Sequence, residues 1–336
     1  MLFRSSNIKG YFGAVKGARK IDDLTVEFDT NGPNPIFPEE ITGWGIMSKA
    51  WSEKNGATVA ADLTKREENF ATRNANGTGP FMLKSREPDV KTVLVPNPNW
   101  WDKPQHNLTE VTFFRIGNDA TRVAALLSGE VDFVYTVPPQ DMPRIAATQG
   151  LKLVQGPELR TIYLGFDQDR AELQESSVKG KNPFKDRRVR QAFYQAIDME
   201  AIRSRVMRGQ ANVSGLMMGP GVNGWSEAQN RRTPFDVEAS KKLLAEAGYP
   251  NGFEVGMDCP NDRYVNDERI CQAVTAMLAR AGIKVNLNAQ TRAKFFEKVN
   301  VPRFETSFYL LGWTPATYDA HNVFFNLVHC RDLPRS

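Results

Sequence analysis

Two lobes of α/β type are the fold this sequence predicts, on three observations. The chain has 336 residues, 41% hydrophobic and 24% charged, an ordinary globular composition, and at that length one core stops growing and the chain divides. Residues 77–160 carry short apolar runs around one clear helical pattern. From residue 169 onward strands alternate with amphipathic helices, the order of a mostly parallel sheet with right-handed crossovers.

The first 76 residues are weakly patterned. In "LTVEFDT", 24–30, Leu24, Val26 and Phe28 share a face, which predicts a strand. "NGPNPIFPEEITG" has three prolines and reads as loop, and the polar stretch 62–79 as a connector. "FMLKSREPDVKTVLVPN" predicts two strands joined by the turn "REPD", and "EVTFFRI", 110–116, a third. A helix follows, capped by Asp119, with Val123, Leu126 and Leu127 as its stripe and Gly129 stopping it in a left-handed turn. Val131, Phe133 and Tyr135 alternate as a strand, 141–148 is a short helix, and "LKLVQ", 151–155, a further strand.

"GPELRTIYLGFDQ", 156–168, is extended and apolar enough to run between lobes. Beyond it Val189, Phe193 and Ile197 fall on one helical face, Asp198 can cap a helix carrying Ile202 and Val206, and Asp236 one carrying Leu243 and Leu244. "FEVGMDC" and "IKVNLNAQ" read as strands about a helix with Ile270, Val274 and Leu278 inward. A helix at "KFFEKV" and the strand "FETSFYLLGW" follow.

Chemistry is sparse. The net charge of +4 comes from basic residues interleaved with acidic ones, which argues against a nucleic-acid partner. No apolar run approaches a membrane span. "MLFRSSNIKGYFG" lacks the apolar centre of a signal peptide, which at face value reads as cytosolic. The three cysteines (Cys259, Cys271, Cys330) and three histidines form no metal-ligand spacing, so neither metal nor cofactor is expected. Neither a nucleophile elbow nor a phosphate-binding P-loop occurs. The candidate binding residues instead follow strands of the second half, where open α/β sheets bind ligands. "CPNDRYVNDE" places Arg263 and Tyr264 after one strand, and a guanidinium there can hold a carboxylate on two prongs. "GWTPATYDAHN" places Trp313 as a pocket wall, with Asp319 as a partner for a cation or a helix cap.

The order of "NGTGPFML", "VLVPNPNWWDKP", "DATRVAALLSGEVDFV", "FKDRRVRQAFYQAID" and "ASKKLLAEAGYPNGF" resembles the bacterial extracellular solute-binding proteins of family 5, the peptide- and nickel-type receptors of ABC importers. The resemblance covers roughly residues 70–330. It implies a periplasmic-binding-protein-like α/β fold of type II, in the large peptide-receptor class, with an incomplete first lobe. Residues 1–160 would be that partial lobe (1–76 irregular, 77–160 β-rich), 161–168 a hinge strand and 169–336 the second lobe, incomplete at its C-terminus. Trp100 and Trp101 would form a structural corner, one ring packed inward and the other covering neighbouring surface. Cys330 matches a position that in some relatives bonds a cysteine further along.

What the resemblance implies for function is capture of a small molecule or peptide between the lobes, delivery to a membrane permease, no catalysis, and a monomeric protein in the periplasm or outside the cell. Arg263 matches a loop where peptide binders grip a carboxylate, while Ala316 replaces the Asp that meets a peptide's amino terminus. Asp319 and Asn322 match later polar positions and would orient a polar group. Two alternatives stay open: a hydrolase using carboxylates of the same cleft, or a fragment without ligand function.

Overall fold

The structure, a computed structural model, describes residues 15–43, 45–61, 67–300 and 303–329. Expectations for residues 1–14, for 62–66 of the connector and for Cys330 lie outside the described residues. The chain divides after Ile116 into two compact units.

In the first unit, β1 (Val15–Lys20) and β2 (Val26–Thr30) form an antiparallel pair. The expected alternation is present, yet Leu24 is 98% exposed; of its apolar face Phe28 packs, 5.4 Å from Phe37. Phe37 opens α1 (Phe37–Glu40), a helical turn where loop was expected; Pro38 fits there because a first-turn proline forfeits no helical hydrogen bond. Next come α2 (Lys49–Lys54), capped by Ser48, and α3 (Phe70–Arg73), with Trp51 and Phe70 5.6 Å apart. The strands β3 (Phe81–Glu87), β4 (Lys91–Pro96) and β5 (Val111–Phe114) form an antiparallel meander in sequence order. After β4 the chain turns through Asn97, whose side chain donates to the Gly79 carbonyl. Trp100 is half-buried and Trp101 79% exposed, their rings edge to face at 6.0 Å, so neither ring of the expected corner is buried.

The second unit opens with α4 (Asp119–Ser128). Its cap is Asn118, one residue earlier than expected: the Asn118 side chain accepts from the Thr121 N–H, and Asp119 instead lies in the first turn, where its charge suits the helix dipole. Gly129 ends the helix at φ 77°, as expected. Val123 and Leu126 pack on Ile145 of α5 (Met142–Ala146). The strands expected at 131–135 and 151–155 do not form. Alternation supplies a face but no ladder partner; Val131, Val134 and Leu151 pack on α4 and α5 instead, leaving Phe133 and Tyr135 79% and 78% exposed.

The rest is one sheet and its helices. In chain order come β6 (Thr161–Phe166), α6 (Arg187–Ala196), α7 (Met199–Ala201) with a wide turn at 202–206, α8 (Val237–Glu246), β7 (Glu254–Pro260), α9 (Asp267–Ala279), β8 (Lys284–Gln290), α10 (Arg292–Val299), β9 (Phe308–Trp313) and α11 (Ala320–Val323). The sheet order is β6-β9-β7-β8, with β7 parallel to β8 and β9, and β6 antiparallel to β9. Asp186, Asp198 and Asp236 each cap the following helix through a side-chain oxygen. Phe184, Phe193 and Phe308 are fully buried; Phe193 lies 5.2 Å from Phe184, 5.5 Å from Phe308 and 5.5 Å from Phe166, which stacks on Phe308. Gly252 and Gly282 allow the two loops that enter β7 and β8 to touch: a Cβ on Gly252 would collide with the Gly282 carbonyl.

Cys259 and Cys271, both fully buried, are joined by a disulfide across a separation of 12 residues. Spacing did not reveal this pair, because it depends on α9 folding back over the end of β7. The bond ties that strand to the helix and closes the loop between them.

Candidate functional site

The loop 261–266 leaves the carboxyl end of β7 and is held from below. Asp267, 4% exposed at the head of α9, accepts the backbone N–H groups of Arg263 and Tyr264 at 2.9 Å each, and that of Glu268. Burial pushes the Asp267 carboxyl above the usual carboxylate range, while those three N–H groups pull it back. Asn266 adopts a left-handed conformation, φ 53°, and its side chain donates to the Val206 carbonyl. With the disulfide beside them, these contacts fix where Arg263 and Tyr264 point.

Tyr264 is half-buried and its hydroxyl donates to the Gly312 carbonyl at 3.4 Å, which joins this loop to the end of β9. The Arg263 guanidinium carbon lies 4.8 Å from the Tyr264 ring centre. Among the described residues, no carboxylate pairs with that guanidinium. A second guanidinium, Arg160, lies 5.7 Å from the same ring. Arg160 donates to Thr314 Oγ1 at 3.1 Å and pairs with Glu158 at 3.1 Å. A methyl group on Gly312 would lie 2.8 Å from Tyr264 Cε1 and 3.1 Å from Arg160 Cδ, so glycine is what lets both side chains meet over β9.

Trp313, Asp319 and Asn322 gather on the other side of Gly312. The Trp313 indole N–H donates to Asn322 Oδ1 at 2.9 Å, and the Ala316 N–H donates to the same oxygen at 3.4 Å. Asn322 is 5% exposed, and the Trp313 ring packs on Met218, Val222 and Val323. Asp319 caps α11 through the His321 N–H and accepts the Asn223 side chain, both at 2.7 Å. The acceptors of Asp319 and Asn322 are thus engaged by the chain's own donors. The structure brings all five expected residues to the carboxyl ends of β7 and β9, in two groups meeting at Gly312.

Arg160 escaped the sequence reading. Its "RTIYLGF" context read only as a connecting strand, and its neighbours Thr314 and Tyr264 are reached only once β6 pairs with β9, Thr161 opposite Trp313. A second buried polar group is structural. Asp258, fully buried on β7, accepts from Lys298 at 2.9 Å, Asn288 at 2.9 Å and Gln290 at 3.2 Å, clamping α10 and β8 to β7. Burial alone would depress the Lys298 ammonium, but hydrogen bonds to Asp258 and Glu175 outweigh it and hold its pKa above the usual lysine value. A hollow of about 430 Å³ lies elsewhere, at the amino end of β7 beside Glu254, lined by Glu175, Ser176, Ser177 and Asn286. Among the described residues, no group of three or more His, Cys, Asp or Glu is placed to hold a metal ion, and no helix is long and apolar enough to cross a membrane.

The family model for bacterial extracellular solute-binding proteins, family 5 Middle, matches residues 3–334. The dipeptide-binding protein of Escherichia coli K12 is 26% identical over 326 residues, covering 94% of this chain and 56% of that protein. Heme-binding protein A of Haemophilus influenzae is 25% identical over 325 residues, covering 96% and 56%. The solved structure of DppA from Helicobacter pylori, in complex with the peptide STSA, superposes with a TM-score of 0.77 at 22% identity, covering 95% of this chain and 58% of that one. The fold is therefore the α/β fold of the periplasmic peptide-binding proteins, and the chain spans a little over half the length of the curated relatives it matches.

Proposed function

Since this chain belongs to the bacterial extracellular solute-binding proteins of family 5, we propose that it is the solute-capturing part of an ABC importer, holding a peptide or peptide-like compound outside the cytoplasmic membrane for a permease. The observation that carries the reading is Arg263: a guanidinium with no carboxylate of its own among the described residues, on a loop whose backbone is pinned by Asp267. Such a group is preorganised for a ligand carboxylate, because the ordering cost is met during folding. Tyr264 and Trp313 supply flat apolar walls. The groups gathered here are a cation, rings and backbone carbonyls, which suit binding and release rather than a covalent step.

The ligand names of the relatives, dipeptide and heme, both denote molecules that carry carboxylates, in keeping with a guanidinium at this place. Calorimetric titration with L-alanyl-L-alanine tests the proposal. Arg263→Ala should weaken binding by about tenfold to a hundredfold, the range of one lost charge-assisted hydrogen-bond pair. Equal affinity of variant and parent would remove Arg263 from the site.

A further inference from the structure

The site holds more positive charge than one carboxylate needs. Arg160 and Arg263 both lie over the Tyr264 ring, so their guanidinium carbons can be no farther apart than about 10.5 Å, the 5.7 and 4.8 Å legs laid end to end. Nearby carboxylates do little to balance them. Asp267 is taken up by three backbone N–H groups, and Asp319 by a helix cap and Asn223. Glu158 alone among the described acids pairs with Arg160, and it is 54% exposed, where such a pair is weak and readily displaced. Nothing at the site offers a free acid to an incoming ammonium: Ala316 has no side-chain oxygen, and the Asn322 oxygen is held by Trp313.

From this geometry we infer that Arg160 is a second ligand-binding residue and that the site selects solutes bearing two acidic groups, one for each guanidinium; the inference rests on the capture reading and names its substrate class. Arg263 takes the first acid from the β7 side. Arg160, steadied by Thr314 at the start of the turn after β9, takes the second by displacing Glu158. Tyr264 keeps the two cations in place through its ring and is itself fixed by Gly312. A ligand with one acid engages Arg263 and leaves Arg160 with Glu158.

The test uses two anions of similar size, glutarate with two carboxylates and butyrate with one, titrated into the full chain and followed by tryptophan emission. Glutarate should bind at least about tenfold tighter than butyrate. Arg160→Gln should erase that preference and leave butyrate unchanged, whereas Arg263→Gln should weaken both. Arg160→Lys, which keeps the charge but not the fork, should retain part of the preference and controls for misfolding. Glu158→Gln should tighten glutarate alone, by up to about fivefold, because the competing acid is gone. Equal affinity for the two anions in the parent chain, no saturable glutarate binding, or a preference that survives Arg160→Gln would each overturn the inference. Dipeptide capture that depends on Arg263 would in each case still stand.

Discussion

Replacing both Cys259 and Cys271 by alanine removes the bond that closes the loop carrying Arg263 and Tyr264. The cysteines are 12 residues apart. For a loop of that size the chain-entropy relation assigns roughly 3 kcal/mol, through the freedom the unfolded chain regains. Both side chains are fully buried, so the alanines also leave a small void that adds to the loss. Urea unfolding followed by tryptophan emission should show it. With a slope of about 3 kcal/mol per molar, the midpoint falls by about 1 M. Native protein treated with dithiothreitol should keep the parent midpoint, because neither sulfur is exposed. Alkylation of the unfolded, unreduced chain should leave the Cys259 and Cys271 peptides unlabelled. A midpoint within about 0.2 M of the parent, a small fraction of the shift expected from loop closure, or labelled cysteines at both positions, would refute the argument that the loop is held by this bond.

Two further outcomes follow from the geometry. Asn322→Ala takes away the acceptor shared by the Trp313 indole and the Ala316 N–H; stability should fall by about 1–2 kcal/mol, because Trp313 is only partly covered, with a red shift of tryptophan emission, and unchanged emission would contradict the contact. At alkaline pH, burial holds Tyr163 and Tyr309 above the ordinary tyrosine pKa, and Lys298 is held above the ordinary lysine value. From about pH 10 upward the unfolded chain releases protons that the folded chain retains, so stability is full below that pH and falls as pH rises. Absorbance at 295 nm should register the ionisation of these two tyrosines only as the chain unfolds; their ionisation in native protein would refute the burial argument.

How much could be read from the sequence depended on distance along the chain. Local signals held: Asp198 and Asp236 cap their helices, Gly129 stops α4, and the inward faces of α6 and α9 carry the expected residues. Where a signal needed a distant partner, it failed or was invisible. Val131, Phe133 and Tyr135 alternate as a strand should, but no neighbour lies alongside. Asn118 took the cap from Asp119 because both residue types cap well and only the chain's path decides between them. Arg263 and Tyr264 were visible because they follow their own strand directly. Arg160 and the Cys259–Cys271 bond were not, since each arises from a contact that only the folded sheet and helices create.

The sheet order also bears on how the chain must assemble during synthesis. β6 has one neighbour, β9, and their register partners Phe166 and Phe308 are translated 142 residues apart, 308 less 166. Until β9 emerges, β6 has no ladder and Phe166 lacks the ring that stacks on it, while β7 and β8 can already pair. The nascent protein therefore carries an open strand and an uncovered aromatic face through most of its elongation, a state that folding helpers would have reason to shield. A ribosome stalled anywhere before residue 308 would leave two half-sheets with no strand to join them.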